Sequence, residues 1–311
     1  MTSRPQAAVL LAGFGAPSSL AEVRAFLIEV TAGRGIPAAR LDEVESHYRA
    51  VGGSPYNRLA EELADSLERQ LASRSLPLPV CLGMRCWEPR LDEVLEGLKR
   101  RGVRIIVAVL LAPHEGKAST QRYVEAIELA RKRTAPNPPS VLYLKSWHKE
   151  PGFIEGVVAR VEQACEGLDQ ARRCRAAWIF TAHSIPLADA QGSPYAVQVE
   201  ETVDEIAGRL GVEPLLAWQS RSGARESRWL EPDLGQRIRE LAGSGFDTIV
   251  VTPVGFLLDH VEILYDLDIE AASIAQELGL TMVRVPTVGN HPSFTAMLAD
   301  KIEDTLARAE G

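Results

Sequence analysis

Cysteine is scarce in this chain of 311 residues: Cys81, Cys86, Cys165 and Cys174 are all there is. No two of them form a C-x-x-C pair and no zinc-ribbon spacing occurs, so neither a disulfide scaffold nor a structural zinc site is expected. Free thiols suit a reducing compartment, and a cytoplasmic protein is expected. Positive charge is not in excess either. The 34 Lys and Arg residues are outnumbered by 42 Asp and Glu, for a net charge of −8. That excludes a general binder of nucleic acid or anionic membrane, which needs a basic face, while leaving room for a local basic pocket. No apolar run approaches the ~18–20 residues of a membrane span. Low-complexity tracts and long linkers are missing. With 46% hydrophobic residues, the chain can bury a sizeable core, so disorder is excluded as its main state.

What is present alternates. Short apolar runs at Ala8–Leu11, Val80–Gly83, Arg104–Leu111, Val141–Leu144, Ala176–Phe180, Leu215–Trp218, Thr248–Pro253 and Met282–Val285 read as strands. Amphipathic stretches such as Asn57–Ser73, Gly152–Glu166 and Val197–Leu210 separate them and read as helices. Continuous apolar strands alternating with helices predict an α/β fold with parallel sheets covered on both faces.

A repeat divides the pattern in two. Pro89 and Pro232 lie 143 positions apart, and the same offset joins Leu95 to Ile238, Leu98 to Leu241, Gly102 to Gly245 and Ile106 to Ile249. Each copy reads as a helix started by proline, a glycine C-cap and a buried strand. Two similar Rossmann-like lobes follow, expected over residues 1–148 and 149–311, with the cleft at the carboxyl ends of their strands.

Four places could carry chemistry. Gly13-Phe14-Gly15 follows the first strand, but Ser18 stands where a dinucleotide fingerprint needs its third glycine, so a tight turn is the better reading. His183 falls just past an apolar strand and before Pro186, where a neutral imidazole could serve as ligand or base. Asp259, Glu262, Asp266 and Glu270, spaced three, four and four, share about 80° of one helical face. No Lys or Arg lies between Asp259 and Glu277 to offset their repulsion, which points to a cation path or proton relay rather than a solvated face. Trp218 opens the segment Trp218–Gly223 after another strand and, taken alone, is better read as core.

Together these residues resemble the ferrochelatase family, enzymes that insert ferrous iron into a porphyrin. The segments that carry the resemblance are TAHSIP at 181–186, WQSRSG at 218–223 and PVGFLLDHVEILYDLDIE at 253–270. LLAGFGAP at 10–17, HYRAVGGSPYN at 47–57, GMRCWEP at 83–89 and LLAPHEGKASTQRY at 110–123 match less tightly. The resemblance implies two Rossmann-like lobes around a porphyrin cleft, with Fe²⁺ as a substrate and no permanently bound cofactor. It implies His183 and Glu262 as the catalytic pair, and His183, Glu262, Asp266 and Glu270 as the residues that meet the metal. Phe14, Tyr48, Ser54, Tyr123 and Trp218 stand at substrate-binding positions. Departures are visible too. Phe14 replaces a tyrosine of many bacterial relatives and cannot ligate metal. Thr31 and His47 take the places of two arginines, and Arg34 is near enough in sequence to compensate. Some relatives carry a two-iron, two-sulfur cluster on C-terminal cysteines. The last cysteine here is Cys174, so no iron–sulfur cluster is expected. The short polar segment Thr31–Arg40 favours a soluble monomer acting on coproporphyrin III, with protoporphyrin IX next. A cobalt or sirohydrochlorin chelatase, and a non-catalytic tetrapyrrole or metal carrier, are the alternatives.

Overall fold

Strand residues that are apolar without alternation need cover on both faces of their sheet, and the fold supplies it. The structure is a computed structural model describing residues 6–117, 119–144, 146–221 and 228–310. Ala118, and Ser222 and Gly223 at the end of the Trp218 segment, lie outside the described residues. The strands are β1 (Ala7–Gly13), β2 (Val80–Met84), β3 (Ile105–Leu110), β4 (Ser140–Tyr143), β5 (Ala176–His183), β6 (Pro214–Gln219), β7 (Thr248–Thr252) and β8 (Thr281–Arg284). They form two parallel sheets of four, ordered β2-β1-β3-β4 and β6-β5-β7-β8.

Chain contacts draw two units: Met1–Ala112 with Ala118–Ser146 and Asn290–Gly311, and Pro113–Lys117 with Trp147–Gly289. This division differs from the one expected at 148/149 in two places. The segment Pro113–Lys117 goes to the second unit because His114 Nε2 meets Thr202 Oγ1 at 3.0 Å and the Glu115 N–H donates to Gln198 Oε1 at 2.7 Å. The helix Pro292–Glu310 returns to the first unit, where it packs on the helix Tyr56–Ser73. There Asp300 pairs with Arg74, whose Nη2 also donates to the Ala296 carbonyl at 3.1 Å.

Within the first unit, Ala8, Leu10, Ala12, Ile106 and Ala108 meet Leu95, Leu98 and Ile127 from the helices Leu91–Arg100 and Thr120–Arg133. The intervening residues Val9, Leu11, Val107 and Val109 are equally buried on the opposite face. In the second unit, Ile179, Ile249 and Val251 meet Ile238, Ile263 and Leu267. The repeat is structural. Ile105 opposes Ala7 and Thr248 opposes Ala176, so β3 and β7 keep the 143-residue offset while β1 and β5 pair with them in the same way at a wider spacing. Met84 N–H donates to the Pro89 carbonyl and Trp218 N–H to that of Pro232, and both prolines follow cis peptide bonds. The prolines do not start their helices, which begin two residues later at Leu91 and Leu234. Arg90 and Asp233 occupy the N-caps, and the Asp233 carboxylate accepts from Gln236 N–H at 2.8 Å.

Among the described residues no helix is long and apolar enough to cross a membrane. The tightest approach in the second unit lies beside the end of β5. A Cβ on Gly255 would fall 2.6 Å from Ala182 Cβ and 2.7 Å from its Cα, so only glycine fits against the strand there. Gly255→Ala should therefore lower unfolding free energy by ~1–3 kcal/mol, the usual cost of overpacking. The urea midpoint reads this directly, and an unchanged midpoint would mean that the strand yields without cost.

Candidate active site

In a parallel sheet the carboxyl ends of adjacent strands open a crevice, and β5 ends there with His183. Several contacts hold this residue. Its Nδ1 lies 2.5 Å from the Ser184 carbonyl, which makes Nδ1–H the donor, so in the neutral imidazole the lone pair sits on Nε2. Tyr195 Oη donates to the His183 carbonyl at 2.9 Å, and the Ser184 N–H donates to the Gln219 carbonyl at 2.8 Å. Nε2 faces Glu262 Oε2 at 3.7 Å, beyond hydrogen-bond reach. Two electron-pair donors that face one another without a shared proton make a place that attracts a proton or a cation.

Glu262 belongs to a helix whose turns are not uniform. Val261–Tyr265 is α-helical, Asp266–Ala271 is a wider π-helical turn, and Ala272–Glu277 is α-helical again. The cause is visible in the burial. Ile263, Leu267, Ala271 and Ala275 all enter the core, at a spacing of four. An α-helix repeats every 3.6 residues and would carry such a stripe around its axis, so inserting i→i+5 turns brings the mean repeat to about four and keeps the stripe straight. Glu262, Asp266 and Glu270 each precede a stripe residue and so run straight as well. Glu262 and Asp266 are half-buried, while Glu270 is exposed.

Asp259 does not belong to this line. His260 is the N-cap of the helix, its Nδ1 accepting from Ile263 N–H at 3.4 Å, so Asp259 precedes the first turn. Arg284 on β8 pairs with Asp259 at 2.5 Å and with Asp268 at 2.9 Å, and Asp259 also accepts the Thr287 N–H at 3.1 Å. The expected four-member carboxylate ladder is thus three, because compensation comes from a strand beyond the helix. Burial pushes Asp266 up to about 7, with Glu262 and Glu270 adding to the shift, while hydrogen bonds from Ser220 and Gln219 oppose it. Burial also lowers His260, whose ring meets Phe256 edge-on at 4.9 Å. Among the described residues no group of three or more His, Cys, Asp or Glu is gathered to hold a single ion. His183 and Glu262 stand as a pair, with Asp266 and Glu270 following along the helix.

Trp218, expected at the substrate, is 4% exposed on β6 and lies against Tyr195 with ring centroids 6.0 Å apart. The other expected substrate residues gather in the first unit. Phe26 is the hub there. The rings of Phe14 and Tyr48 meet it edge-on at 6.3 Å, and that of Trp87 at 5.6 Å. Tyr123 is buried, and the Arg85 guanidinium lies 5.0 Å from the Phe14 ring centroid and 5.5 Å from that of Tyr123. Ser54 Oγ accepts the Tyr56 N–H at 3.4 Å, and Tyr56 Oη accepts the Phe14 N–H at 3.2 Å. Burial pushes the Cys86 thiol up, with Glu29 adding to the shift, while Arg85, Arg34 and Arg122 act on it in the opposite sense.

Sequence reasoning missed Arg85, His260 and the two tyrosines that fix the strand ends. A signal for the tyrosines was available: Gly-Ser-Pro-Tyr occurs at 53–56 and again at 192–195. In both copies the serine accepts its tyrosine's N–H at 3.4 Å, and the tyrosine hydroxyl reaches the backbone of Phe14 or His183.

The family described as Ferrochelatase matches residues 6–306. The coproporphyrin III ferrochelatase of Nocardia farcinica is 38% identical over 309 residues, covering 96% of this chain and 88% of that protein. The Corynebacterium glutamicum protein of the same name is 39% identical over 308 residues, covering 96% and 83%. Among solved structures, SirB from Bacillus subtilis with Fe³⁺ superposes with a TM-score of 0.63 at 16% identity, covering 99% of this chain and 98% of that one. That likeness speaks for the two-lobe chelatase fold alone. Matched almost end to end by the family and by relatives of this identity, the chain belongs to the ferrochelatase family.

Proposed function

We propose that this protein inserts Fe²⁺ into coproporphyrin III, with His183 and Glu262 as the groups that act on the reacting atoms. The observation that carries the reading is the His183 Nε2 lone pair facing the Glu262 carboxylate at 3.7 Å, at the carboxyl end of β5. A free-base porphyrin must lose two pyrrole protons as the ion enters along the ring normal. His183, its Nδ1–H committed to Ser184, presents Nε2 to take a proton. Glu262 meets the ion or relays the proton. Imidazole and carboxylate together make a borderline-hard donor pair suited to a divalent ion that stays only briefly. Asp266 and Glu270 continue the line toward the exposed end of the helix, a route for ions in one direction and protons in the other. A bent macrocycle exposes a pyrrole lone pair to the ion, so groups that favour the bent form act on the transition state.

The substrate reading rests on charge. Coproporphyrin III carries four propionates and protoporphyrin IX two. The relatives of similar length are named for coproporphyrin III. Arg85 supplies, beside Phe14 and Tyr123, a cation of the kind missing at Thr31 and His47. Guanidinium–carboxylate contacts are among the stronger hydrogen bonds, so a substrate with more carboxylates gains more from them. Tyr48, Ser54 and Tyr123 complete the proposed propionate contacts, and Phe14 and Trp218 contribute apolar surface.

His183→Ala should cut turnover by at least ~10²-fold, the scale of a lost acid–base group, while porphyrin affinity persists. Glu262→Gln should do the same. Asp266→Asn and Glu270→Gln should act mainly on the apparent KM for Fe²⁺. Steady-state assays under anaerobic conditions decide, and equal, mild losses at all three carboxylates would favour a merely solvated face. For the substrate, Arg85→Gln should raise KM for coproporphyrin III several-fold more than for protoporphyrin IX. A wild-type preference for protoporphyrin IX that survives this change would refute the assignment. Asp266 also links stability to pH. It keeps its proton in the folded state up to about 7, against 3.8 for the ordinary side chain. Between those values the folded state alone holds the proton, so stability falls as pH rises. At ~1.4 kcal/mol per unit, Asp266→Asn should gain on the order of a few kcal/mol relative to wild type at pH 8 compared with pH 4. Denaturant melts of the two proteins at both pH values show whether the difference between them moves.

A further inference from the structure

Behind the acidic line lies a chain of polar side chains that the proposed chemistry does not use. Thr181 on β5 is fully buried, and its hydroxyl donates to Gln219 Oε1 on β6 at 2.6 Å. With Oε1 so engaged, Gln219 Nε2 lies 3.5 Å from Ser220 Oγ, and the side chain hydrogen-bonds the Asp266 carboxylate. Ser220 has a left-handed backbone (φ 58°) where β6 ends, and its hydroxyl donates to Asp266 Oδ2. Every donor in the series Thr181, Gln219, Ser220 therefore points toward Asp266. The Ser220 hydroxyl reaches the carboxylate from the sheet side at Oδ2. Glu262 and Glu270, the charged groups that act on it, lie along its own helix.

We propose that Thr181, Gln219 and Ser220 are positioning residues that orient Asp266, holding Oδ2 from the sheet so that Oδ1 is presented to the arriving metal ion. This rests on the reading that Asp266 lies on the path of the ion. Thr181 matters because a buried carbonyl left without a donor is costly, so Gln219 Oε1 seeks another when the hydroxyl is removed. The nearest is Ser220, whose proton would turn from Asp266 to the amide oxygen. The turned amide would also place that oxygen, rather than its N–H, against a carboxylate. One change three side chains away thus frees Asp266 without touching it.

The test uses the whole protein. Thr181→Val keeps the volume and removes the hydroxyl, whereas Thr181→Ser keeps the hydroxyl. The apparent KM for Fe²⁺ and kcat are measured separately at saturating porphyrin. Zn²⁺ binding to porphyrin-free protein is followed by calorimetry. Thr181→Val should raise the Fe²⁺ KM and weaken Zn²⁺ binding by ~3–10-fold, with kcat and the porphyrin KM changed less than about twofold. Thr181→Ser should restore both, and Thr181→Val in an Asp266→Asn background should add nothing. Ser220→Ala, at a half-buried position, should reproduce the Thr181→Val effect and serves if that variant does not fold. Three results would overturn the proposal: an unchanged Fe²⁺ KM in Thr181→Val and Ser220→Ala, equal defects in the valine and serine variants, or additivity with Asp266→Asn. An Asp266→Asn protein with unchanged Fe²⁺ KM would remove both the path and its orientation. A defect there but not in Thr181→Val would remove only the orientation.

Discussion

Burial of Ile263, Leu267, Ala271 and Ala275 at intervals of four is the constraint on which the acidic line depends. Core packing dictates the stripe, and the stripe dictates a helix wound more loosely than usual through Asp266–Ala271. The carboxylates gain their alignment from this. Had the helix kept its ordinary pitch, Glu270 would have turned away from Glu262 as the stripe wandered off the sheet. An apolar requirement on one side of the helix thus orders charge on its neighbouring side. Like charges so ordered repel, and the fold tolerates them by burying only part of the series and leaving Glu270 in water.

The two units show how one supersecondary plan is put to different uses. Strand order, sheet register and the Gly-Ser-Pro-Tyr corner recur in both. At the end of the first strand of each sheet stands the residue that differs most in chemistry, Phe14 in one and His183 in the other. The tyrosine hydroxyl accepts from the backbone N–H of Phe14 in the first case and donates to the backbone carbonyl of His183 in the second. The scaffold fixes the place, and the side chain installed there decides whether it offers a flat apolar surface or a lone pair. Around Phe14 the first unit collects aromatic rings and guanidinium groups, and around His183 the second collects carboxylates.

Much of this was legible in the sequence because it rests on local patterns. Strands announce themselves as apolar runs, unbroken where both faces are buried, and the eight strands among the described residues were all found. The 143-residue offset revealed the duplication, and the place of His183 after an apolar strand marked it as a site residue. The losses have physical causes. Asp259 looked like part of the ladder because its partner, Arg284, comes from a strand 25 residues on, and no helical count contains it. The π turn escaped because a period of 3.6 was assumed where burial imposes four. Arg85 was passed over as one arginine in a motif, since its place between the Phe14 and Tyr123 rings arises only when three separate segments meet. The division near 148 ignored the last helix, whose apolar face gives no hint of which sheet it will cover.

That last helix has a consequence for how the protein is made. Translation delivers the first unit's strands early, yet one face of their sheet takes its cover from Pro292–Glu310, which follows the whole of the second unit's main segment in the chain. The residues of the second unit have all emerged once Gly289 has. The usual vectorial order, in which the amino-terminal part folds first, is therefore inverted. The earlier half must wait, with Leu63, Leu67 and the β1–β3 surface uncovered, until Pro292–Glu310 returns to close it.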